Sequence, residues 1–138
     1  VRRKLHDVAV ATAVASVVGG APSTLHAAAT RRSVLAAGRA AGTLFPGRAQ
    51  RPGLVAGGVV HVAVSAFWGA VLGWVLPRRH TAAWGAASGL VIAAVSLPTI
   101  GRRRAAIAEL PQVPQWLDNV AFGLVTGWLL SRSDAAAS

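Results

Sequence analysis

Few side chains in this sequence can do chemistry. Its 138 residues include four acids, four histidines and no cysteine. His61 lies in a long uncharged stretch, and Ser65 follows one helical turn later on the same face. Asp118 follows Pro114 by four residues. An ionisable group inside an apolar segment is costly and marks a functional site by default. His61, Ser65 and Asp118 therefore form a candidate intramembrane polar site, suited to transport or proton handling. Each residue also has a plainer reading. His61 is then an imidazole bonded to a backbone carbonyl or to Ser65. Asp118 is then a first-turn acid behind Pro114, complementing a helix dipole. A direct His61–Asp118 bond requires Asp118 to lie deeper than its place near the start of its span suggests, or the span holding His61 to begin outside the hydrocarbon, near Gly57.

A third reading pairs His26 with His61 as ligands for haem or a metal. No ligand-spacing motif accompanies the pair, so neither a metal nor a cofactor is expected. Without cysteine there is no thiolate ligand, thiol nucleophile or disulfide. The sequence has no G-x-S-x-G, no H-E-x-x-H, no P-loop and no close pair of carboxylates. Two of the four acids, Asp7 and Asp134, lie near the termini. No catalytic residue is assigned, and an enzyme is not expected.

The elements that must position these residues are legible from composition. The chain is 54% hydrophobic yet carries a formal charge of +10. Its basic residues come in clumps separated by long uncharged blocks. A nucleic-acid binder would spread such residues over one face of a folded core, so nucleic acid is not an expected partner. Basic clumps between apolar blocks instead suit loops that meet lipid head groups, so the bilayer is the expected partner. The contacts expected there are Arg31, Arg32, Arg78, Arg79, Arg102, Arg103 and Arg104. Four blocks are read as spans, at about residues 8–30, 53–77, 80–100 and 114–131, the last being the shortest. The expected fold class is all-α: one polytopic membrane domain over residues 1–138, with four transmembrane helices packed as a bundle. The first block has a rival reading as a secretory signal, ending at the A-x-A site Ala27-Ala28-Ala29.

Glycine spacing suggests how such helices pack. GAVLGW at 69–74 and GLVTGW at 123–128 share a pattern, and Gly38/Gly42, Gly53/Gly57 and Gly85/Gly89 repeat the four-residue spacing. Two glycines four apart open a groove on one helix face, and close backbone packing drives helix association in lipid. The helix-packing residues are therefore Gly69, Gly73, Gly85, Gly89, Gly123 and Gly127. Trp74 and Trp128 each precede a basic clump and read as interfacial anchors. A second copy of the chain, or a larger membrane assembly, is the further partner such grooves would take.

With four spans, the N-terminus, the Arg78/Arg79 turn and the C-terminus share one side. Arg2, Arg3, Lys4, Arg78, Arg79 and Arg132 lie there, six basic residues against eight on the other side. That balance does not fix orientation. The basic first connection, 31–52, contains SVLAAGRAAGTLF (33–45), which is either an interfacial helix or a solvated loop. Arginine greatly outnumbers lysine, and Ala, Gly and Val dominate. This is the usage of a high-GC bacterial genome, and Val1 fits a GTG start read literally or a trimmed terminus. The expected location is the bacterial inner membrane, crossed several times.

The order of these residues also resembles a known family. His61-x-x-x-Ser65, Pro77, Gly85-x-x-x-Gly89 and Pro98 form one half. Leu110-Pro111, Asp118-Asn119-Val120, Phe122-Gly123 and Trp128 form the other. Over about residues 54–130 the chain resembles the YagU-like family of small bacterial inner-membrane proteins. That resemblance implies a four-helix inner-membrane protein of unknown biochemical function, with acid-stress tolerance as its setting. The family tends to carry further His and Glu residues in its later spans. Here Leu124 follows Phe122-Gly123, and no His follows His80. Three function classes remain: a non-catalytic packing or accessory subunit, a small transporter or proton-linked protein using His61 and Asp118, and a haem or metal carrier using His26 and His61.

Overall fold

Prolines and glycines set the helix boundaries. A computed structural model describes residues 2–137, and among them it contains helix and no strand. Seven α-helices follow in order: α1 Leu5–Val18, α2 Ala21–Ala29, α3 Ala36–Ala41, α4 Leu54–Val75, α5 Thr81–Thr99, α6 Ala105–Ala108 and α7 Gln112–Ala136. Short 3₁₀ turns at Gly42–Leu44 and Gly101–Arg103 complete the connections. α4 stops at Pro77, which cannot continue it. At the start of α5 the Thr81 hydroxyl donates to the Pro77 carbonyl at 2.9 Å, holding the turn between the two helices.

Three helical segments are long and apolar enough to cross a membrane: Leu5–Ala29 taken across its break, Leu54–Val75 and Thr81–Thr99. α7 does not meet that standard. It is 25 residues long, well beyond the expected 114–131, and it carries Asp118, Asn119, Arg132 and Asp134. It is also the helix against which α1, α2, α4 and α5 pack.

Two expectations are corrected. The block at 8–30 is not one helix but two, interrupted at Gly19–Gly20. Pro22 has no N–H, so the Val18 carbonyl loses its helical partner, and glycines tolerate the turn that results. α2 then ends at Thr30, where Arg31 is left-handed (φ 55°). There Arg32 N–H bonds Ala27 O at 2.8 Å and Arg31 N–H bonds Ala28 O at 3.3 Å, the paired closure of a Schellman stop. Of the two readings of 33–45, the solvated loop is set aside: α3 and its 3₁₀ extension lie there and pack on α4.

Glycines make the closest contacts. α5 and α7 run antiparallel, and a methyl built on Gly85 would strike the Gly123 carbonyl, one on Gly123 the Gly85 carbonyl. One register up and down, Gly89 meets the Asn119 carbonyl and Gly127 the Thr81 carbonyl. α4 sets Gly69 against Thr12 and Gly73 against Val8 of α1. Gly57 and Gly53 sit against Gly38 and Gly42 of α3 and its extension. The small core of Ala11, Leu72, Leu76, Ile92 and Leu130, flanked by Val8, Trp68, Phe122 and Leu129, fills the space beside these contacts.

One end of the molecule is closed by Arg3. Its Nε and Nη2 donate to the Asp134 carboxylate, Nη2 at 2.8 Å, and Nη1 donates to the carbonyls of Leu76 at 2.8 Å and Gly73 at 3.2 Å. The two side chains are only 6% and 12% exposed. A planar guanidinium with a fork of donors suits this role, tying the start of α1 to the last carbonyls of α4 and the last turn of α7. Arg78 stands 3.7 Å from the same carboxylate. The sequence reading had assigned Arg3 and Asp134 no role.

Two stability outcomes follow. Gly123→Ala should lower the thermal midpoint in detergent by the equivalent of about 1–3 kcal/mol, the usual cost of overpacking. Gly58→Ala, whose added methyl meets nothing within 4 Å, should leave it unchanged or raise it. Equal effects at both positions would remove the glycine contact as the cause. Arg3→Ala should cost about 3 kcal/mol, since one partner of a nearly buried pair is left alone. Arg3→Lys should recover little of that, because one ammonium cannot serve a carboxylate and two carbonyls together.

Candidate functional site at a helix break

An interrupted helix leaves backbone groups without partners, and in an apolar setting each must find one. At the Gly19–Gly20 break, two side chains from other helices supply them. His61 on α4 brings Nε2 to 2.8 Å from the Ser16 carbonyl, one of the last four carbonyls of α1. Because that partner is a carbonyl, Nε2 carries the proton and donates. Asp118 on α7 accepts from Ser23 N–H at 2.8 Å, in the first turn of α2. Each group also suits the local dipole: a donor at a helix C-terminus, an anion at a helix N-terminus. Gly19 completes the fit, since a methyl there would lie 3.0 Å from the Phe122 Cβ of α7.

His61 and Asp118 line one cleft of about 700 Å³ between α1, α2, α3, α4 and α7. No hydrogen bond joins them to each other among the described residues; they hold the two sides of the break. The expected direct bond is thus replaced by a shared cleft. His61 takes the bond of its plainer reading, to a backbone carbonyl, that of Ser16. Asp118 does not take its plainer reading. α7 begins at Gln112, so Asp118 lies beyond its first turn and serves the start of α2 instead.

Ser65 lines the same cleft, is 7% exposed, and makes no hydrogen bond among the described residues. Asn119, which the sequence offers only as part of the family resemblance and not as a site residue, also lines it. Its Nδ2 donates to the Gln115 carbonyl at 2.9 Å, which leaves its Oδ1 free to accept. Trp68 and Phe122 supply aromatic wall. The signal for Asn119 was available as the residue next to Asp118, but helical phase alone did not say which wall it would join.

His26 lines an adjoining cleft of about 290 Å³, with Arg32 and Glu109, which shares Ser23, Val34, Ala37 and Gln115 with the first. His26 and His61 thus line different clefts, and among the described residues no group of three His or acidic side chains is placed to hold a metal. Of the arginines expected at head groups, Arg31, Arg32, Arg78, Arg79 and Arg103 are exposed, Arg104 is half-buried, and the Arg102 side chain lies outside the described set. Trp74 is 78% exposed, and Trp128 stacks under Arg132, whose Cζ is 5.3 Å from the ring centre. Trp84, in the first turn of α5, lies at this same end of the molecule. No family model, no curated protein and no solved structure matches the chain.

His61→Ala should lower stability by about 1 kcal/mol, the net worth of a typical hydrogen bond, by releasing the Ser16 carbonyl. His61→Gln, whose amide also donates, should restore part of it. Thermal unfolding in detergent reads both. If alanine and glutamine behave alike, the bond to Ser16 contributes nothing.

Proposed function

We propose that the chain is a multi-pass protein of the bacterial inner membrane with four spans, α1–α2, α4, α5 and α7. We propose further that it takes up a small solute in the cleft at the helix break and does no catalysis. Exposed apolar surface supports the membrane placement. Val14, Val17, Val62, Phe67, Val91 and Val95 are all more than 40% exposed along the three apolar segments. The structure exposes 8488 Å², against roughly 6,700 Å² for a compact soluble chain of 14.0 kDa. Trp74, Trp84 and Trp128 gather at one end, as indoles do at a head-group boundary. α7 is compatible with a span because its polar groups have partners: Asp118 with Ser23, Asn119 with Gln115, Asp134 with Arg3.

The single observation carrying the solute reading is the break. Helical backbone is interrupted at membrane depth where it is buried in protein or lines a polar cavity, and such breaks sit at transport sites. The rival reading, a packing subunit of a larger assembly, draws on free glycine grooves. All five glycine pairs are already filled from within the chain, which favours the solute reading. Kinship with the YagU-like proteins stays part of the proposal, supported by the residues that carry the resemblance.

Single cysteines test both parts, since the native chain has none to interfere. In membrane vesicles, an impermeant thiol reagent should label Ala49→Cys and Ala137→Cys from opposite sides. Labelling from the same side would mean that α7 does not cross. Ser65→Cys should react where Val62→Cys, on the outer face, does not. An unreactive Ser65→Cys would close the cleft to solutes.

A further inference from the structure

The cleft is electrically unlike the rest of the molecule. Fourteen of the 138 residues are basic, yet no Arg or Lys lines it. Asp118, one of only four acids, does line it. No Arg or Lys pairs with Asp118 among the described residues; the ion pairs of the chain's other aspartates use Arg3, Arg78 and His6. A carboxylate at such depth is expensive unless it meets a cation.

Its hydrogen-bonding groups lean the same way. Asp118 accepts the Ser23 N–H on Oδ1, with the Ser23 side chain beside the same carboxyl. Asn119 spends one of its two amide N–H groups on the Gln115 carbonyl, and its oxygen makes no hydrogen bond among the described residues. His61 donates through Nε2 to the Ser16 carbonyl, and in the tautomer that carries a single proton Nδ1 is an acceptor. Ser65 as a residue is 7% exposed, and its hydroxyl makes no hydrogen bond among the described residues. The unsatisfied capacity is therefore mostly acceptor, beside an anion, with Trp68 and Phe122 as apolar wall. The volume of about 700 Å³ lies within the range of small-molecule sites.

We propose that this cleft binds a small organic ammonium ion carrying N–H donors on an apolar or aromatic body. This rests on the solute reading above and names the class of solute. The ammonium head would sit between Asp118, Asn119 and Ser65, replacing water with three acceptors. The body would lie along Trp68 and Phe122, where an aromatic face also attracts a cation.

Calorimetry on the full chain in lipid nanodiscs tests it, with phenethylammonium as the probe and empty discs subtracted. Saturable binding is expected. Asp118→Asn, which can still accept from Ser23, should weaken binding at least tenfold, and Ser65→Ala, which breaks no bond in the protein, several-fold. Circular dichroism checks that both variants keep their helix. 2-Phenylethanol, the neutral isostere, should bind far more weakly, as should the trimethylammonium analogue, which has no N–H. Equal affinity for either analogue, or affinity unchanged in both variants, overturns the proposal. So does the absence of phenethylammonium heat above that of empty discs. In that last case, labelling of Ser65→Cys decides separately whether the cleft takes solutes at all.

Discussion

The need to satisfy the backbone at Gly19–Gly20 governs much of this structure. A proline two residues past the break removes one N–H and frees one carbonyl, and glycines cannot supply side-chain partners of their own. In water the loss would be made good by solvent. Among apolar helices each unpaired group costs several kcal/mol, so partners must come from neighbouring elements. His61 and Asp118 supply two such partners from two different helices, a donor for the Ser16 carbonyl and an acceptor for the Ser23 N–H, matched to the two helix ends. The same pairing opens a polar cleft where a continuous span would have been sealed.

Asp118 can reach the break only because α7 is fixed in depth and rotation. That setting comes from glycine. Backbone contact between Gly85 and Gly123, and between Gly89 and Asn119, allows a single register of α5 against α7. The Asn119 carbonyl thus faces α5 while the next residue back, Asp118, turns towards α2. At the far end, Arg3 holds the last turn of α7 to α1 and α4. The site is therefore built from a rigid packing contact at mid-helix and an ionic clasp at one end. The clasp lies apart from the cleft and the packing contact reaches it only through Asn119, yet both determine what lines it.

Much of this was legible in the sequence, and the rest fails for physical reasons. Apolar blocks gave α4 and α5 nearly to the residue, because lipid-facing helices need uninterrupted hydropathy and prolines bound them. Four-residue glycine spacing identified the surfaces that meet, since only glycine permits that approach. His61, Ser65 and Asp118 were found as polar residues in apolar blocks, and they do share a cleft. Which groups they bond was not legible, because that depends on the break. Pro22 was visible, but proline is tolerated in membrane helices and does not by itself announce an interruption. The Arg3–Asp134 clasp spans 131 residues of sequence. No local pattern encodes such a pairing, and residues near the termini look dispensable until the fold brings them together.

α7 falls short of a span by hydropathy for a reason that bears on the site. The measure counts residues along a helix without regard to what each one faces. α7 carries the most polar groups of the long helices, and they are turned to the α2 N-terminus, to its own preceding turn and to Arg3. A helix packed on four others need not be apolar all round; it needs only that its polar groups be matched within the protein. By contrast α4 and α5, with one face on protein and the other outward, must be apolar over most of their circumference. The segment least convincing as a span by composition is thus the one best placed to carry a polar site. Its polarity belongs to the interior of the assembly, where Asp118 and Asn119 line the cleft and Asp134 lies in the terminal clasp.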